Sequence, residues 1–161
     1  MALLSLAPLA FAVDVRAPRT EPILVRDLTG PDIDAGFLDT LANLAEVKIT
    51  TAQANQVLQK RLRAGVRTFI ALKQKQIVGT ATLLLEHKFI HSGGRVGHIE
   101  DVAVHRDFQG LGIGSLLVRH AVEQTRLAGC YKVLLSCFDD RVPFYEKLGF
   151  RRHDVGMRAD F

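Results

Sequence analysis

Apolar and polar positions change period several times along the chain, and each change marks an element. Ile23-Leu24-Val25 follows Pro18 and Pro22 and predicts a first strand. Leu38, Leu41, Leu44 and Ala45 recur at helical spacing and predict a helix over Asp32–Ala45, with Asp27 or Thr29 as N-cap. A second helix is expected over Thr51–Ala64, with Ala54, Val57, Leu58 and Leu62 inward. Thr68–Leu72 and Ile77–Leu85 read as strands of a hairpin around the polar turn Lys73–Gln76. Ser92-Gly93-Gly94-Arg95 is a second turn, and Val96–Val104 is the next strand. Helical spacing returns over Ser115–Ala128, with Leu116, Leu117, Ala121 and Val122 inward and Gly129 as the stop. Tyr131–Cys137 reads as a buried strand, Val142–Leu148 as a short helix stopped by Gly149, and Phe150-Arg151-Arg152 as the start of a last strand. Strand, two helices, antiparallel strands, helix, strand, helix and strand make an α/β chain with a mixed sheet.

Composition narrows the class without changing this picture. The chain has 161 residues, 48% hydrophobic and 24% charged, which suits one globular domain with a real core. A net charge of +4, unclustered, argues against nucleic-acid binding and suits an enzyme that handles phosphorylated small molecules. Two cysteines, Cys130 and Cys137, are too few for a secreted disulfide framework and read as reduced core thiols. Of six histidines, His87 and His91 alone stand at i, i+4, and no acidic or Cys ligand completes a zinc spacing, so no metal is expected. Met1–Val13 is apolar and Ala10-Phe11-Ala12 resembles a cleavage site, but no basic segment precedes it and it is too short to span a bilayer. Residues 1–22 are therefore expected to be an extension, disordered or packed on a partner subunit. The remainder reads as an intracellular enzyme, cytoplasmic or organellar, with targeting left open.

The chemistry concentrates in Gln109-Gly110-Leu111-Gly112-Ile113-Gly114, between the strand to Val104 and the helix from Ser115. A P-loop needs Lys-Ser/Thr after its last glycine, and none follows. The dinucleotide fingerprint needs glycines spaced two and three inside a parallel βαβ unit; here they are spaced two and two after a meander. What remains is a cradle of main-chain N–H groups that grips a diphosphate over a helix N-terminus, or an ordinary tight turn. Three glycines within five residues favour the cradle.

Gln109-x-x-Gly112-x-Gly114 resembles the acetyl-CoA motif of the GNAT family of N-acetyltransferases. The strings GHIEDVAV (97–104), GCYK (129–132) and VPFYEKLGF (142–150) are similar to those of the family members that acetylate the 2-amino group of glucosamine 6-phosphate. The resemblance spans about residues 23 to 157, so residues 23–161 are expected to form the GNAT domain. It implies a mixed, mostly antiparallel sheet with helices on both faces and a central strand pair splayed at a bulge. It implies acetyl-CoA as co-substrate, no metal, a phosphosugar acceptor serving UDP-N-acetylglucosamine synthesis, and a homodimer with the substrate site shared across subunits. Under it, Gln109, Gly110, Leu111, Gly112, Ile113, Gly114 and Ser115 hold the cofactor, and pantetheine pairs along Val102, Ala103 and Val104. The Val102 N–H polarises the thioester carbonyl, and Tyr145, which also touches the cofactor, protonates the leaving thiolate. Glu100 and Asp101 hold the amine and sugar hydroxyls; they point to opposite faces in a regular strand, and a bulge would unite them. Lys88, His91, Tyr131, Lys132 and Arg158 are the expected substrate-phosphate side, Tyr131 and Lys132 reaching the partner's site.

The chain departs from the family pattern at three places. Ser136 stands where the family carries an acidic residue that orients the amine, which passes amine deprotonation to Glu100, Asp101, a water chain or solvent. Arg141 replaces an asparagine and is placed to meet a CoA phosphate. Ala45-Glu46 replace threonines near the first helix. The same residues also fit an acetyltransferase for another amine (peptide, polyamine or aminoglycoside) or a CoA-binding module without turnover.

Overall fold

The computed structural model describes residues 22–161, so the N-terminal extension and its apolar run lie outside the described residues, Pro22 excepted. Five strands, β1 (Leu24–Asp27), β2 (Arg67–Lys73), β3 (Gln76–His87), β4 (Arg95–Val104) and β5 (Cys130–Leu134), form one sheet in chain order. Neighbours are antiparallel except β4 and β5, which run parallel. That parallel pair needs a crossover, supplied by α5 (Ile113–Leu127).

Helix α5 covers one face. Its Ile113, Leu117, Val118 and Ala121 are buried against Phe69, Ala71, Ala81, Leu83 and Ile99. The other face lies under α1 (Gly30–Asp32), a π-turn (Ile33–Phe37), α2 (Leu38–Leu41) and α3 (Thr51–Arg63). Ile33, Phe37, Ala54 and Leu58 there bury Ile70 and Ile77. The chain enters α1 through a capping box: Asp32 accepts from the Thr29 N–H at 2.7 Å and from its hydroxyl at 2.6 Å. The guanidinium of Arg26 adds two bonds to the same carboxylate, at 2.7 and 2.8 Å, and holds its pKa at about 2.

Several boundaries differ from the sequence expectation. The first helix breaks at Gly36, whose φ is +102°, and ends at Leu41, so Leu44 and Ala45 are exposed. Val57 and Leu62 of α3 and Leu116 of α5 are also largely exposed. Helix α5 begins at Ile113, two residues early. Strand β5 stops at Leu134, and Ser136 and Cys137 continue as exposed coil. No strand forms at 150–152 among the described residues. Short helical turns complete the described chain: α4 (Ile90–Gly93) after β3, a 3-10 turn at Arg106–Phe108, and after β5 a second 3-10 turn at Asp139–Arg141 leading into α6 (Val142–Glu146).

Candidate active site

The site follows from one irregularity in β4. Thr80 faces Ala103 and Thr82 faces Glu100, so Ala81 opposes both Asp101 and Val102. That is a β-bulge with one extra residue, and Asp101 takes the strain with φ of +51°. A short polar side chain tolerates this left-handed conformation better than most residues. The bulge turns Glu100 and Asp101 toward one face: Glu100 shares the register of Thr82, and the Thr82 hydroxyl lies 3.4 Å from Asp101 Oδ2.

The same bend opens the sheet. β4 pairs with β5 over Arg95–His98 and no further, while it stays paired with β3 as far as Val104. From Ile99 onward the β5-facing edge of β4, with Val102, Ala103 and Val104, has no strand beside it. The splay implied by the family resemblance is present.

The glycine loop closes the end of this opening. Gly110 and Gly112 have φ of +79° and +78°, and Gly112 caps α5 in the left-handed region. The N–H groups of Leu111 to Ser115 have no backbone acceptor among the described residues, whereas the Leu116 N–H already bonds Gly112 O. These groups converge at a helix N-terminus, an arrangement that suits an anion. Gln109 ties the loop to the strand by donating to Val104 O at 3.4 Å. A Cβ on Gly114 would stand 3.4 Å from Phe144 and 3.6 Å from Val104, so the loop, β4 and α6 meet at this residue.

Tyr145 follows Phe144 in α6. Its half-buried ring packs edge-on against Phe144 and Phe150. Burial pushes the phenol pKa up, Cys137 and Glu100 push the same way, and Arg141 opposes them. The group is therefore a neutral phenol at neutral pH, able to donate a proton. Ser136 and Cys137 line with Tyr145 a groove of about 650 Å³ that continues past Lys132 to Arg152 and Asp154.

The expected phosphate residues collect elsewhere. Lys88 pairs with Glu86, which His98 Nε2 also meets at 3.0 Å; Lys88 and then His98 hold the Glu86 carboxyl below the usual range. His91 stacks on Tyr131, and the Lys132 ammonium lies 5.9 Å from the Tyr131 ring. Arg95, beside this group, is five residues along β4 from Glu100, roughly 16 Å at the rise of a strand. The structure thus places Glu100, Asp101 and the loop along the second half of β4 and His91, Tyr131 and Lys132 at its start, with Lys88 reaching, through Glu86, to His98, two residues from Glu100. Arg141 sits exposed against Asp140 at 3.3 Å and close enough to Tyr145 to oppose the rise of its pKa, whereas Arg158 pairs with Asp160 on the exposed C-terminal segment. Sequence reasoning missed Glu86, His98, Thr82 and Arg61. The signal for Thr82 was present: Thr80 and Thr82 place hydroxyls at alternate positions of an otherwise apolar strand.

Comparison with known proteins agrees with this geometry. The family model described as Acetyltransferase (GNAT) family matches residues 38–150, and the chain belongs to this family. A glucosamine 6-phosphate N-acetyltransferase of Trypanosoma brucei brucei is 40% identical over 129 residues, which cover 78% of this chain and 88% of the relative. A protein of Oryza sativa subsp. japonica named glucosamine 6-phosphate N-acetyltransferase 1 is 36% identical over 146 residues, 88% of each chain. The crystal structure of glucosamine-6-phosphate N-acetyltransferase from Arabidopsis thaliana superposes with a TM-score of 0.83 at 28% identity, covering 88% of this chain and 99% of that one.

Proposed function

We propose that this protein transfers acetyl from acetyl-CoA to the 2-amino group of glucosamine 6-phosphate, giving N-acetylglucosamine 6-phosphate for UDP-N-acetylglucosamine synthesis. The names of the relatives support the acceptor. The observation that carries the chemistry is the bulge at Asp101. It opens the β4 edge and brings two carboxylates to one face, with Glu100 near enough to Tyr145 to help keep its phenol protonated.

Acetyl-CoA supplies the acetyl group as an activated thioester. The chain's own groups do the rest. N–H groups from Leu111 to Ser115 bind the pyrophosphate, and their lack of internal acceptors supports that fit. The free edge at Val102–Val104 aligns the pantetheine amides, and the Val102 N–H stabilises charge developing on the carbonyl oxygen. Glu100 and Asp101 orient the acceptor amine and receive its proton directly or through water. Ser136 accepts a hydrogen bond and takes no proton at neutral pH. Tyr145 donates its phenolic proton to the departing sulfur, so the amide forms as the thioester bond breaks.

Residues 23–161 are read as the catalytic domain, and the working unit as a homodimer. Lys88 meets Glu86, which also touches His98, two residues along β4 from Glu100, whereas Tyr131 and Lys132 sit beside Arg95 and Val96 at the start of β4 and are read as serving the partner's site, as the resemblance implies. The outer edge of β5, last in the sheet, and the exposed Phe89, Ile90 and Phe138 support such a contact. Mass analysis of the product tests the reading: N-acetylglucosamine 6-phosphate formed in step with CoA release supports it, and CoA release without an acetylated sugar contradicts it.

A further inference from the structure

Beneath α1–α3 lies a cavity of about 80 Å³ whose walls are largely apolar, among them Ile33, Phe37 and Leu58. Its polar groups gather at the sheet: Arg61, Thr68, Thr80, Thr82 and Asp101. Arg61, half-buried in the last turn of α3, donates through Nη2 to Thr82 Oγ1 at 2.6 Å and to Thr68 Oγ1 at 3.1 Å. Thr82 is 2% exposed, so water does not compete for its hydroxyl.

A guanidinium has donors and no acceptor. Its bond to Thr82 therefore occupies a lone pair of the hydroxyl and leaves the hydroxyl proton for another partner. Asp101 Oδ2, at 3.4 Å, is the acceptor that this proton faces. Thr68 makes the same kind of bond to Arg61 and has no contact with Asp101. The chain Arg61, Thr82, Asp101 thus has one direction, from a helix across the sheet to the carboxylate at the bulge.

We propose that Arg61 is a positioning residue that acts through Thr82 to aim the Asp101 carboxylate at the acceptor amine. This rests on the reading of Asp101 as an acceptor-binding group. Asp101 sits in a left-handed backbone conformation on an exposed stretch, and its side chain needs an anchor to hold one direction. Thr82 is that anchor, and Arg61 sets which way Thr82 donates.

The test compares two near-isosteric changes. Thr82→Val removes the link to Asp101, whereas Thr68→Val removes an equivalent bond to Arg61 and leaves the link intact. Thr82→Val is expected to raise KM for glucosamine 6-phosphate roughly tenfold to a hundredfold, the range for losing a hydrogen bond to a charged group. KM for acetyl-CoA stays unchanged, Thr68→Val behaves as the parent, and Thr82→Ser, which keeps the hydroxyl, restores most of the loss. If Thr82→Val does not accumulate as folded protein, Arg61→Met takes its place. Equal effects of the Thr82 and Thr68 changes would overturn the proposal, because they would report a structural role shared by both hydroxyls. The carboxyl carbon resonance of Asp101 gives a readout independent of turnover: it moves in Thr82→Val and Arg61→Met and stays in Thr68→Val. Parent protein that binds CoA but leaves glucosamine 6-phosphate untouched would defeat the proposed function, and this resonance would still decide the link; an unmoved resonance defeats the link alone.

Discussion

His91 stacks on Tyr131, with ring centroids 4.5 Å apart and planes inclined by 46°. The contact joins the connection between β3 and β4 to the beginning of β5, and it gathers Lys88 and Lys132 around one exposed surface. His91 and Ser92 both have positive φ, so the backbone of this turn is committed to its shape.

That surface is the expected phosphate end of the substrate. Lys88→Gln should raise KM for glucosamine 6-phosphate by about tenfold or more, and leave the weak reaction with unphosphorylated glucosamine unchanged. Steady-state kinetics on both sugars checks this. Equal losses on both would remove Lys88 from phosphate recognition.

Tyr145→Phe keeps the ring packing against Phe144 and Phe150 and deletes the proton donor. Turnover should fall by roughly two to four orders of magnitude while both KM values stay within a few-fold. Stopped-flow detection of the CoA thiol measures it, and unchanged turnover would rule out the acid role.

The hairpin β2–β3, the helices α3 and α5 and the glycine loop were legible because each has a period or a turn chemistry of its own. The end of β5 was not. Leu135 to Phe138 keep the composition of a strand, but β4 has turned away at the bulge, and a strand needs a neighbour to bond. Residues 150–152 also form no strand among the described residues. The bulge itself was expected from the resemblance, whereas the positive φ of Asp101 and its bond to Thr82 depend on register across the sheet. Local pattern does not carry register. Ser136 and Arg141 were assigned through the resemblance, as departures from the family pattern, and the structure shows both exposed, the latter paired with its neighbour Asp140.

Gly97 has a steric role that explains its place beside His98 and Ile99. A Cβ there would fall 2.5 Å from Thr125 Cγ2 and 2.8 Å from Thr125 Oγ1, where α5 presses on β4. Gly97→Ala should destabilise the fold by about 1–3 kcal/mol through overpacking. Gly97→Ala combined with Thr125→Ala should recover part of it, as denaturant unfolding can show. No loss in the single variant would mean that α5 moves freely on the sheet.

Asp32 links stability to acid. Its folded pKa of about 2 lies below the ordinary 3.8, mainly because Arg26 bonds the charged form. The contribution is complete above the unfolded value and is lost as the pH falls from about 4 toward 2. It amounts to about 1–2 kcal/mol after allowing for solvent screening of Arg26. Arg26→Met should lower stability at pH 6 and flatten the fall below pH 4. Parallel acid limbs in parent and variant would contradict the link.

Acceptor choice bears on the account most directly. The measurement is kcat/KM for CoA release with glucosamine 6-phosphate, glucosamine and a panel of peptide amines, at fixed acetyl-CoA. The account predicts that glucosamine 6-phosphate exceeds glucosamine by roughly a hundredfold or more and that peptides give no release. Comparable values for the two sugars, or a preferred peptide, would contradict it.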